Sequence, residues 1–342
     1  MKKSIKARKR IFLLTTVFAM IVIMGCGQSA NVEQNEDNLS ENVILTETGE
    51  VLEKEEMNAE ETAVVTSSPE PVTIEAEMLV EPSQEQVVTE EDQTEPQGKE
   101  LQIVFLGDSI FDTYRDGTGI PYRTALQCEA DVYNLAIGGT CAAVAGDEQI
   151  GLEEWTSRSM VGVVNAVAGK IPTDIFINDT AKTILDNPNI DFSNTDCFVV
   201  EYGMNDFLNA TPLDDKEEFY DVKTYAGALR YAVTTLKGVA PDATIILCSP
   251  TYAQFYNGDW MIGDGNSINN GYGTLFDYKG ICEYVAGEQQ VFFFNAYQDL
   301  GINGYTAEAY LEDGIHLTDE GRQIYADALA RMILNCEENK NN

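Results

Sequence analysis

Near-continuous apolar runs alternate with stretches of helical spacing over residues 101–342, and this alternation is the main structural signal of the chain. Five runs have the length of strands: Leu101–Leu106, Asp131–Leu135, Asp196–Tyr202, Thr244–Cys248 and Val291–Asn295. An apolar run without strict alternation is typical of a strand buried on both faces, as in a parallel sheet covered by helices. The pattern therefore predicts five parallel strands.

Helical spacing fills the intervals between these strands and closes the chain. The predicted helices cover Pro121–Glu129, Met160–Ala168, Val222–Val239, Thr274–Ala286 and Thr318–Asn335. In the last one, Ile324, Ala328 and Met332 form an apolar stripe. Strands that alternate with helices define an α/β protein, and we expect a three-layer α/β/α sandwich. Ligands of such sheets bind at the carboxyl ends of the strands.

The first 26 residues have the features of an export signal. Met1–Arg10 contains six Lys or Arg, and Ile11–Met24 is an apolar run of 14 residues, short for a membrane span of about 20 residues. Residues 23–26, Ile-Met-Gly-Cys, resemble a bacterial lipobox. This implies a lipoprotein signal peptide over 1–26, lipidation of Cys26 and anchoring at the extracellular face of the membrane. A plain secretory signal and an uncleaved anchor are the alternatives.

Residues 27–100 differ sharply in composition from the rest of the chain. They contain 21 Asp or Glu against two Lys, and no Phe, Trp or Tyr. Such a segment cannot bury enough apolar surface to offset the entropy lost on ordering. We therefore predict an acidic disordered tether over 27–100 and one folded domain over 101–342.

The net charge limits the partners of the folded domain. The whole chain has a formal charge of −36, and residues 101–342 hold 36 acidic and 13 basic side chains, a net charge of −23. Such a surface repels phosphate, so we expect no nucleic acid partner and contact with a membrane only through Cys26. Neutral or acetylated substrates are favoured, although the charge is also explained by solubility. The sequence does not define the oligomeric state.

Six cysteines lie beyond Cys26, at positions 128, 141, 197, 248, 282 and 336. They form no Cys-x-x-Cys pair and the chain has a single histidine, so we expect no metal site and no cofactor. Cys197 and Cys248 lie within predicted strands, where a small buried thiol is the usual occupant. Disulfide pairing is not defined by the sequence.

The single histidine, His316, has a candidate nucleophile far upstream. Gly-Asp-Ser at 107–109 closes the first predicted strand, and His316 ends the run Asp-Gly-Ile-His at 313–316. A serine hydroxyl is a weak nucleophile until a base takes its proton, and imidazole suits that task near neutral pH. Asp313 can accept the other ring N–H. These residues predict a triad of Ser109, His316 and Asp313.

Four polar clusters occur in a fixed order at the predicted strand ends and before the last helix. They are Gly-Asp-Ser at 107–109, Asn-Leu-Ala-Ile-Gly-Gly at 134–139, Gly-Met-Asn-Asp at 203–206 and Asp-Gly-Ile-His at 313–316. With these clusters the sequence resembles the SGNH (GDSL-like) hydrolase family over nearly all of 101–335. The resemblance implies a flavodoxin-like fold and hydrolysis of esters. Each cluster alone is also explained by turn and cap chemistry.

The resemblance further implies the groups that stabilise the reaction's oxyanion. They are the backbone N–H groups of Ser109 and Gly139 and the side-chain amide of Asn205. Asp108 and Asp206 are expected to brace the loops that carry Ser109 and Asn205. In this scheme the Ser109 hydroxyl attacks the ester carbonyl after losing its proton to the imidazole.

Other scaffolds and functions fit less well. An α/β-hydrolase requires Gly-x-Ser-x-Gly, and the nearest sequence, Gly265–Asn269, lacks the last glycine. A phosphate-binding Gly-x-Gly-x-x-Gly loop is absent from the sequence as well. A catalytically inactive surface glycan-binding module is the non-enzymatic alternative, but no triad or oxyanion residue is missing.

The segment Pro250–Gly273 follows the fourth strand and is rich in aromatic residues. Tyr252, Tyr256 and Trp260 lie among Asn, Asp and Gly, a composition suited to the faces and hydroxyls of sugars. We expect a loop that binds acetylated extracellular carbohydrate, with irregular-loop packing as the alternative role of the rings. A lysophospholipase or lipid esterase and an acyltransferase remain open, because the family resemblance covers them.

Overall fold

The computed structural model describes residues 101–144 and 157–340. The lipoprotein signal predicted for 1–26, with Cys26, and the acidic tether predicted for 27–100 lie outside the described residues. The described residues all belong to one unit of the chain, Pro96–Asn342.

A parallel sheet forms the centre of this unit, which confirms the main prediction from the apolar runs. The described residues contain seven strands: β1 (Leu101–Gly107), β2 (Ala130–Asn134), β3 (Cys197–Glu201), β4 (Thr244–Cys248), β5 (Gln254–Asn257), β6 (Trp260–Asp264) and β7 (Phe292–Phe294). Five of them form the sheet in the order β2-β1-β3-β4-β7, with every neighbouring pair parallel. β3 and β4 are buried at every position, which explains their near-continuous apolar sequences.

The strand order reverses next to β1, and this places the polar clusters together. Ile103 of β1 is paired with Val132 of β2 on one side and with Cys197 of β3 on the other. In a doubly wound sheet, the loops diverge at such a point and leave a crevice at the carboxyl ends of the strands. The segments that follow β1, β2 and β3 therefore start from the same edge of the sheet.

Helices flank the sheet in two groups. The described residues contain ten α-helices: α1 (Ser109–Asp112), α2 (Ile120–Gln127), α3 (Met160–Val167), α4 (Thr180–Leu185), α5 (Met204–Leu208), α6 (Tyr225–Val239), α7 (Leu275–Gln289), α8 (Ala296–Asp299), α9 (Ala307–Tyr310) and α10 (Asp319–Lys340). α2 packs against α10 in one group, and α6 packs against both α3 and α7 in the other. This is the predicted three-layer sandwich. Within 101–144 and 157–340, no helix has both the length and the apolar character needed to cross a bilayer.

A row of aromatic side chains fixes α1 between the sheet and α10. The ring centroids of Phe105 on β1 and Phe111 on α1 are 5.4 Å apart, and those of Phe111 and Tyr325 on α10 are 5.8 Å apart. Phe294 on β7 lies 5.2 Å from Tyr325. Each such pair adds about 0.5–1.5 kcal/mol beyond the burial of its area. Because Ser109 is the first residue of α1, this packing also fixes the candidate nucleophile.

The segment Pro250–Gly273 is not the irregular loop that its composition suggested. It contains the antiparallel pair β5–β6, with a register shift between Phe255 and Tyr256. Phe255 is buried, whereas Tyr256 and Asn257 are exposed. A strand of four residues is too short to show a period of two in the sequence, so the hairpin had no clear signal.

Buried thiols occupy the strand interiors, as predicted. Cys197 on β3 and Cys248 on β4 are each 1% exposed, and Cys128, Cys282 and Cys336 are buried as well. Burial raises the pKa of the Cys197 and Cys248 thiols well above the ordinary value. These thiols are therefore protonated and unreactive at neutral pH.

A capping box at the start of α7 provides a test of the helix boundary. The Thr274 hydroxyl accepts a hydrogen bond from the Asp277 N–H, and the Asp277 carboxylate accepts one from the Thr274 N–H. Thr274→Ala should lower the free energy of unfolding by about 1 kcal/mol. Thr234→Ala, at an exposed position of α6, is the control and should change it by less than about 0.5 kcal/mol. Urea unfolding measures both changes, and equal losses of unfolding free energy in the two variants would contradict the capping role of Thr274.

Candidate active site

Ser109 is placed by the turn from β1 into α1. Asp108 is the N-cap residue of α1, and its Oδ1 accepts a hydrogen bond of 3.0 Å from the Ile110 N–H. Gly107 leaves room for the turn, because a Cβ at that position would lie 2.8 Å from the Phe111 ring. The helix begins directly behind the strand, so the half-buried Ser109 lies at the carboxyl edge of the sheet.

The side chains of Ser109, His316 and Asp313 meet in one hydrogen-bonded row. His316 Nε2 lies 2.9 Å from Ser109 Oγ, and His316 Nδ1 lies 2.8 Å from Asp313 Oδ2. An ionised Asp313 can only accept, so it selects the tautomer in which Nδ1 carries the hydrogen and Nε2 accepts from the serine hydroxyl. This is the arrangement of a serine hydrolase triad.

The carboxylate of Asp313 dominates the electrostatics of the row. Its hydrogen bond raises the pKa of His316 above the ordinary value, against the opposite effect of burial. Burial alone would raise the pKa of Asp313, but hydrogen bonds from the His316 ring and backbone lower it to about 2. Asp313 Oδ1 accepts from the N–H groups of Ile315 and His316 at 3.0 and 2.8 Å. Asp313 is therefore ionised at neutral pH and can stabilise an imidazolium.

A closed turn sets the spacing of Asp313 and His316. Leu311 and Leu317 pair as an antiparallel bridge on either side of it. Inside the bridge, the Glu312 N–H donates to the His316 carbonyl at 2.8 Å. Both side chains of the candidate triad consequently project from a short, hydrogen-bonded segment, which we call the catalytic turn, rather than from a free loop.

The catalytic turn also rests on β5. The Gln254 N–H donates to the Gly314 carbonyl at 2.8 Å. Gly314 has a φ of +91°, and a Cβ there would lie 2.3 Å from the Gln254 carbonyl oxygen and 2.9 Å from the Tyr256 ring. Only glycine meets both demands at this position, the backbone conformation and the close approach of the hairpin.

Arg322 supports the catalytic turn, although the sequence analysis did not single it out. It is 5% exposed, and its guanidinium donates to the Leu317 carbonyl at 2.7 Å and to the Thr118 carbonyl at 3.0 Å. The guanidinium also lies 3.5 Å from the centroid of the Tyr114 ring. The sequence contained one indication of this role. Arg322 lies three residues before Tyr325 on the buried face of α10, and a charged side chain in such a place needs hydrogen-bonding partners.

The three predicted oxyanion donors each keep a hydrogen atom that no described residue accepts. In the part of the chain that the structure describes, neither the Ser109 N–H nor the Gly139 N–H has a hydrogen-bond acceptor. Asn205 donates one amide hydrogen to Asp108 Oδ2, at 3.0 Å, and its other amide hydrogen has no acceptor among the described residues. Gly138 brings the glycine loop against Ser109, since a Cβ at 138 would lie 3.8 Å from the Ser109 Cβ. These are the donors that the family resemblance implied.

Backbone conformation, rather than lack of space, accounts for glycine at 139. Gly139 has a φ of +78°, and a Cβ there would meet no protein atom within 4 Å. A residue with a Cβ is strained in this left-handed region. The positive φ of this position therefore explains why glycine occupies it.

Asp112 and Arg115 clamp the glycine loop after β2, a role that the sequence motifs did not reveal. Asp112 Oδ2 accepts from the Gly138 N–H at 2.8 Å, and Asp112 Oδ1 lies 2.6 Å from Arg115 Nε. Arg115 also donates to the carbonyl groups of Asn134 and Ala136 at 2.9 and 2.6 Å. The only indication in the sequence was that Asp112 and Arg115, an acid and a base, are three residues apart and can therefore pair on a helical segment. The clamp joins the nucleophile helix to the loop that carries a predicted oxyanion donor.

The two aspartates of the clusters are fully buried and connect segments. Asp108 joins the start of α1 to the Asn205 amide. Asp206 accepts from the N–H groups of Ala142 and Ala143 at 2.8 and 3.0 Å, and so joins α5 to the loop after β2. Burial raises the pKa of Asp108 to about 6 and that of Asp206 to about 7.

The structure separates the three residues predicted to bind substrate. Tyr252 is buried, and its hydroxyl donates to Asp264 Oδ2 at 3.0 Å, so it holds the hairpin segment in place. Tyr256 is 41% exposed and lies against Gly314 of the catalytic turn. Trp260, at the start of β6, is 81% exposed. Tyr256 and Trp260 are the two that offer ring faces to a ligand.

Comparison with known proteins agrees with the four clusters and the sheet. Residues 105–324 match the GDSL-like lipase/acylhydrolase family, the SGNH hydrolases. The chain belongs to this family, and the matched range contains every triad and oxyanion residue predicted from the sequence. The family resemblance is thereby confirmed, and it indicates an ester-hydrolysing enzyme.

Solved structures are similar to the chain at low sequence identity. One is 20% identical with a TM-score of 0.52, covering 68% of this chain and 95% of its own. A possible lipase from Chitinophaga pinensis is 19% identical with a TM-score of 0.47, covering 70% and 99%. A family two carbohydrate esterase from Clostridium thermocellum, solved with cellohexaose, is 18% identical with a TM-score of 0.43, covering 70% and 65%. No curated protein matches the sequence.

The single histidine makes the electrostatics of the triad directly measurable. The imidazole proton resonances of the protein arise from His316 alone, and their titration should give a pKa above the ordinary value. Asp313→Asn removes the carboxylate and should lower that pKa, because burial then acts without compensation. Asp116→Asn, which removes an exposed charge, is the control and should leave it near the wild-type value. An unchanged pKa in Asp313→Asn would contradict the hydrogen bond.

Proposed function

We propose that the protein is a serine esterase in which Ser109 attacks the carbonyl carbon of an ester. The row of hydrogen bonds from Ser109 through His316 to Asp313, at 2.9 and 2.8 Å, is the observation that carries this proposal. His316 Nε2 accepts the hydroxyl proton while Ser109 Oγ forms a bond to the carbonyl carbon. Asp313 stabilises the resulting imidazolium.

The tetrahedral intermediate then collapses to an acyl-enzyme. The His316 imidazolium gives its proton to the leaving alcohol as the ester C–O bond breaks. Water attacks the acyl group on Ser109 with His316 again as the base, and a second collapse releases the acid and the free serine. No group besides the triad is required to move a proton.

The oxyanion of each tetrahedral intermediate is stabilised by donors that are in place beforehand. The Ser109 and Gly139 N–H groups and the Asn205 amide are the donors we assign. Hydrogen bonds within the protein hold two of these donors in place. Asp112 accepts from the Gly138 N–H beside Gly139, and Asp108 accepts from the Asn205 amide. Preorganised donors need no rearrangement during the reaction, which is the main source of their catalytic effect.

We propose acetyl esters on carbohydrate as the substrate class. The charge of −23 on residues 101–342 disfavours anionic substrates and is compatible with neutral glycans. Tyr256 beside the catalytic turn and the exposed Trp260 offer ring faces of the kind on which sugars pack. The exposed neighbours Met261 and Ile262 favour lipid esters as the second candidate.

We also propose that the enzyme acts outside the cell and is held at the membrane through a lipidated Cys26. The support comes from the sequence: a basic start, an apolar run of 14 residues and a lipobox-like end at residues 23–26. An acidic tether over 27–100 would hold the catalytic domain away from the anionic membrane surface.

Substitution of the catalytic groups tests the mechanism on p-nitrophenyl acetate. Ser109→Ala and His316→Ala should leave only background hydrolysis, because the covalent route is lost. Asn205→Ala should retain a remnant, with kcat reduced about 100- to 1,000-fold by loss of one oxyanion donor. Thermal unfolding shows whether each variant is folded. Full activity in Ser109→Ala would end the proposal.

The hairpin tests the substrate class. Trp260→Ala should raise KM for acetate release from an acetylated oligosaccharide about tenfold, equivalent to about 1.4 kcal/mol of binding. Leu126→Ala on α2 is the matched control, since Leu126 has the same exposed fraction of 81%. It should leave KM near the wild-type value. Activity that rises with acyl length on p-nitrophenyl esters, without acetate release from glycans, would favour lipid esters instead.

A further inference from the structure

Glu201, the last residue of β3, is a buried carboxyl group that the proposed reaction does not use. It is fully buried, and neither of its oxygen atoms accepts a hydrogen bond of normal geometry from the described residues. An ionised carboxylate without a partner is strongly disfavoured in such a place. The position of this side chain therefore requires an explanation.

The neighbour of Glu201 is Asp108. Gly107 is paired with Glu201 across β1 and β3, and the Glu201 carboxyl lies within hydrogen-bonding reach of the Asp108 carboxyl. In the part of the chain that the structure describes, no lysine or arginine forms an ion pair with either acid. Two buried carboxyl groups in contact without a cation cannot both be ionised, so they share a proton.

The hydrogen bonds of Asp108 decide which acid carries that proton. Asp108 Oδ1 accepts from the Ile110 N–H and Asp108 Oδ2 from the Asn205 amide, both at 3.0 Å, and these donors favour the ionised form. The Asp108 N–H acts on Glu201 in the same sense, but it is outweighed by burial and by the charge of Asp108. Burial and the charge of Asp108 raise the pKa of Glu201 well above its ordinary value, whereas burial raises that of Asp108 only to about 6.

The other ionisable groups near this pair do not change the assignment. Asp206, from α5, adds negative charge and opposes ionisation of Glu201. Five further groups interact with Glu201, from β4, α6, α7, α10 and the position after β3. All are neutral thiols or phenols with raised pKa values: Cys248, Tyr225, Cys282, Tyr325 and Tyr202. His316 acts on Asp108 as a cation when it is protonated, which favours the ionised Asp108.

We propose that Glu201 is a positioning residue whose protonated carboxyl donates a hydrogen bond to Asp108 and so fixes the carboxylate that holds the Asn205 amide. The inference rests on the proposed esterase function and adds a residue behind the oxyanion hole. Without the donor on Glu201, Asp108 loses one of the hydrogen bonds that fix its side chain and favour its ionised form, and it holds the Asn205 amide less firmly. This change weakens stabilisation of the transition state, so it lowers kcat and leaves KM nearly unchanged.

Glu201→Gln and Glu201→Met separate the hydrogen bond from the packing. Gln keeps the size and a donor, and should retain kcat on p-nitrophenyl acetate within about threefold. Met keeps the volume but donates nothing, and should lower kcat about 10- to 100-fold with little change in KM. Val199→Ala, two residues earlier on the same face of β3 and fully buried, is the packing control. It should lower the unfolding temperature without lowering kcat.

Two further measurements distinguish this role from a purely structural one. Because Glu201 acts through Asp108, Glu201→Met should lower kcat much less when Asp108→Asn is already present. The infrared difference spectrum between wild type and Glu201→Gln at neutral pH should contain the C=O band of a protonated carboxylic acid. This second readout does not depend on esterase activity.

Wild-type kcat in Glu201→Met, or equal losses in Glu201→Met and Glu201→Gln, would overturn the inference. Absence of the carboxylic-acid band would overturn it as well. A wild-type protein that shows the band but hydrolyses no ester would support the shared proton and overturn the catalytic consequence together with the proposed function. The failure of the esterase proposal is thereby distinguishable from the failure of the assignment to Glu201.

Discussion

The hydrogen bond between His316 Nε2 and Ser109 Oγ joins residues 207 positions apart, and the surrounding structure keeps that bond in place. A single hydrogen bond contributes about 0.5–1.5 kcal/mol and cannot bring two distant segments together by itself. Packing does so: the aromatic row fixes α1 against α10, and Arg322 on α10 ties the catalytic turn to the loop after α1. The catalytic pair is consequently aligned before a substrate binds.

Parallel pairing explains why segments far apart in the sequence meet at this point. β1, β2 and β3 all end at one edge of the sheet, so the turns that follow them are neighbours. The turn after β1, which carries Ser109, contacts the segments after β2 and β3 through acidic side chains. Asp108 binds the Asn205 amide, and Asp112 binds the Gly138 N–H. Ser109 lies between these two contacts, so the same short helix positions the nucleophile and the donors that serve it.

Buried acids give the site its electrostatic character. Asp108, Asp206 and Glu201 are all fully buried, and burial raises the pKa of each. The negative charge of Asp108 also acts on His316, in the same direction as the stronger hydrogen bond from Asp313, and both raise the pKa of the imidazole. An acidic environment thus makes the imidazole a stronger base, which favours the proposed transfer of the serine proton to it. This tuning requires that the acids behind the site are not all ionised at once.

The sequence by itself determined the sheet and the candidate triad. Burial on both faces makes strands such as β3 and β4 apolar throughout, and one histidine leaves one candidate imidazole base. The tertiary structure alone decided the hairpin β5–β6, the exposure of Tyr256 and the burial of Tyr252. It also decided the roles of the supporting polar residues Asp112, Arg115, Glu201 and Arg322. The physical reason is that periodicity records burial along one element, whereas hydrogen bonds between distant segments leave no periodic trace in the chain.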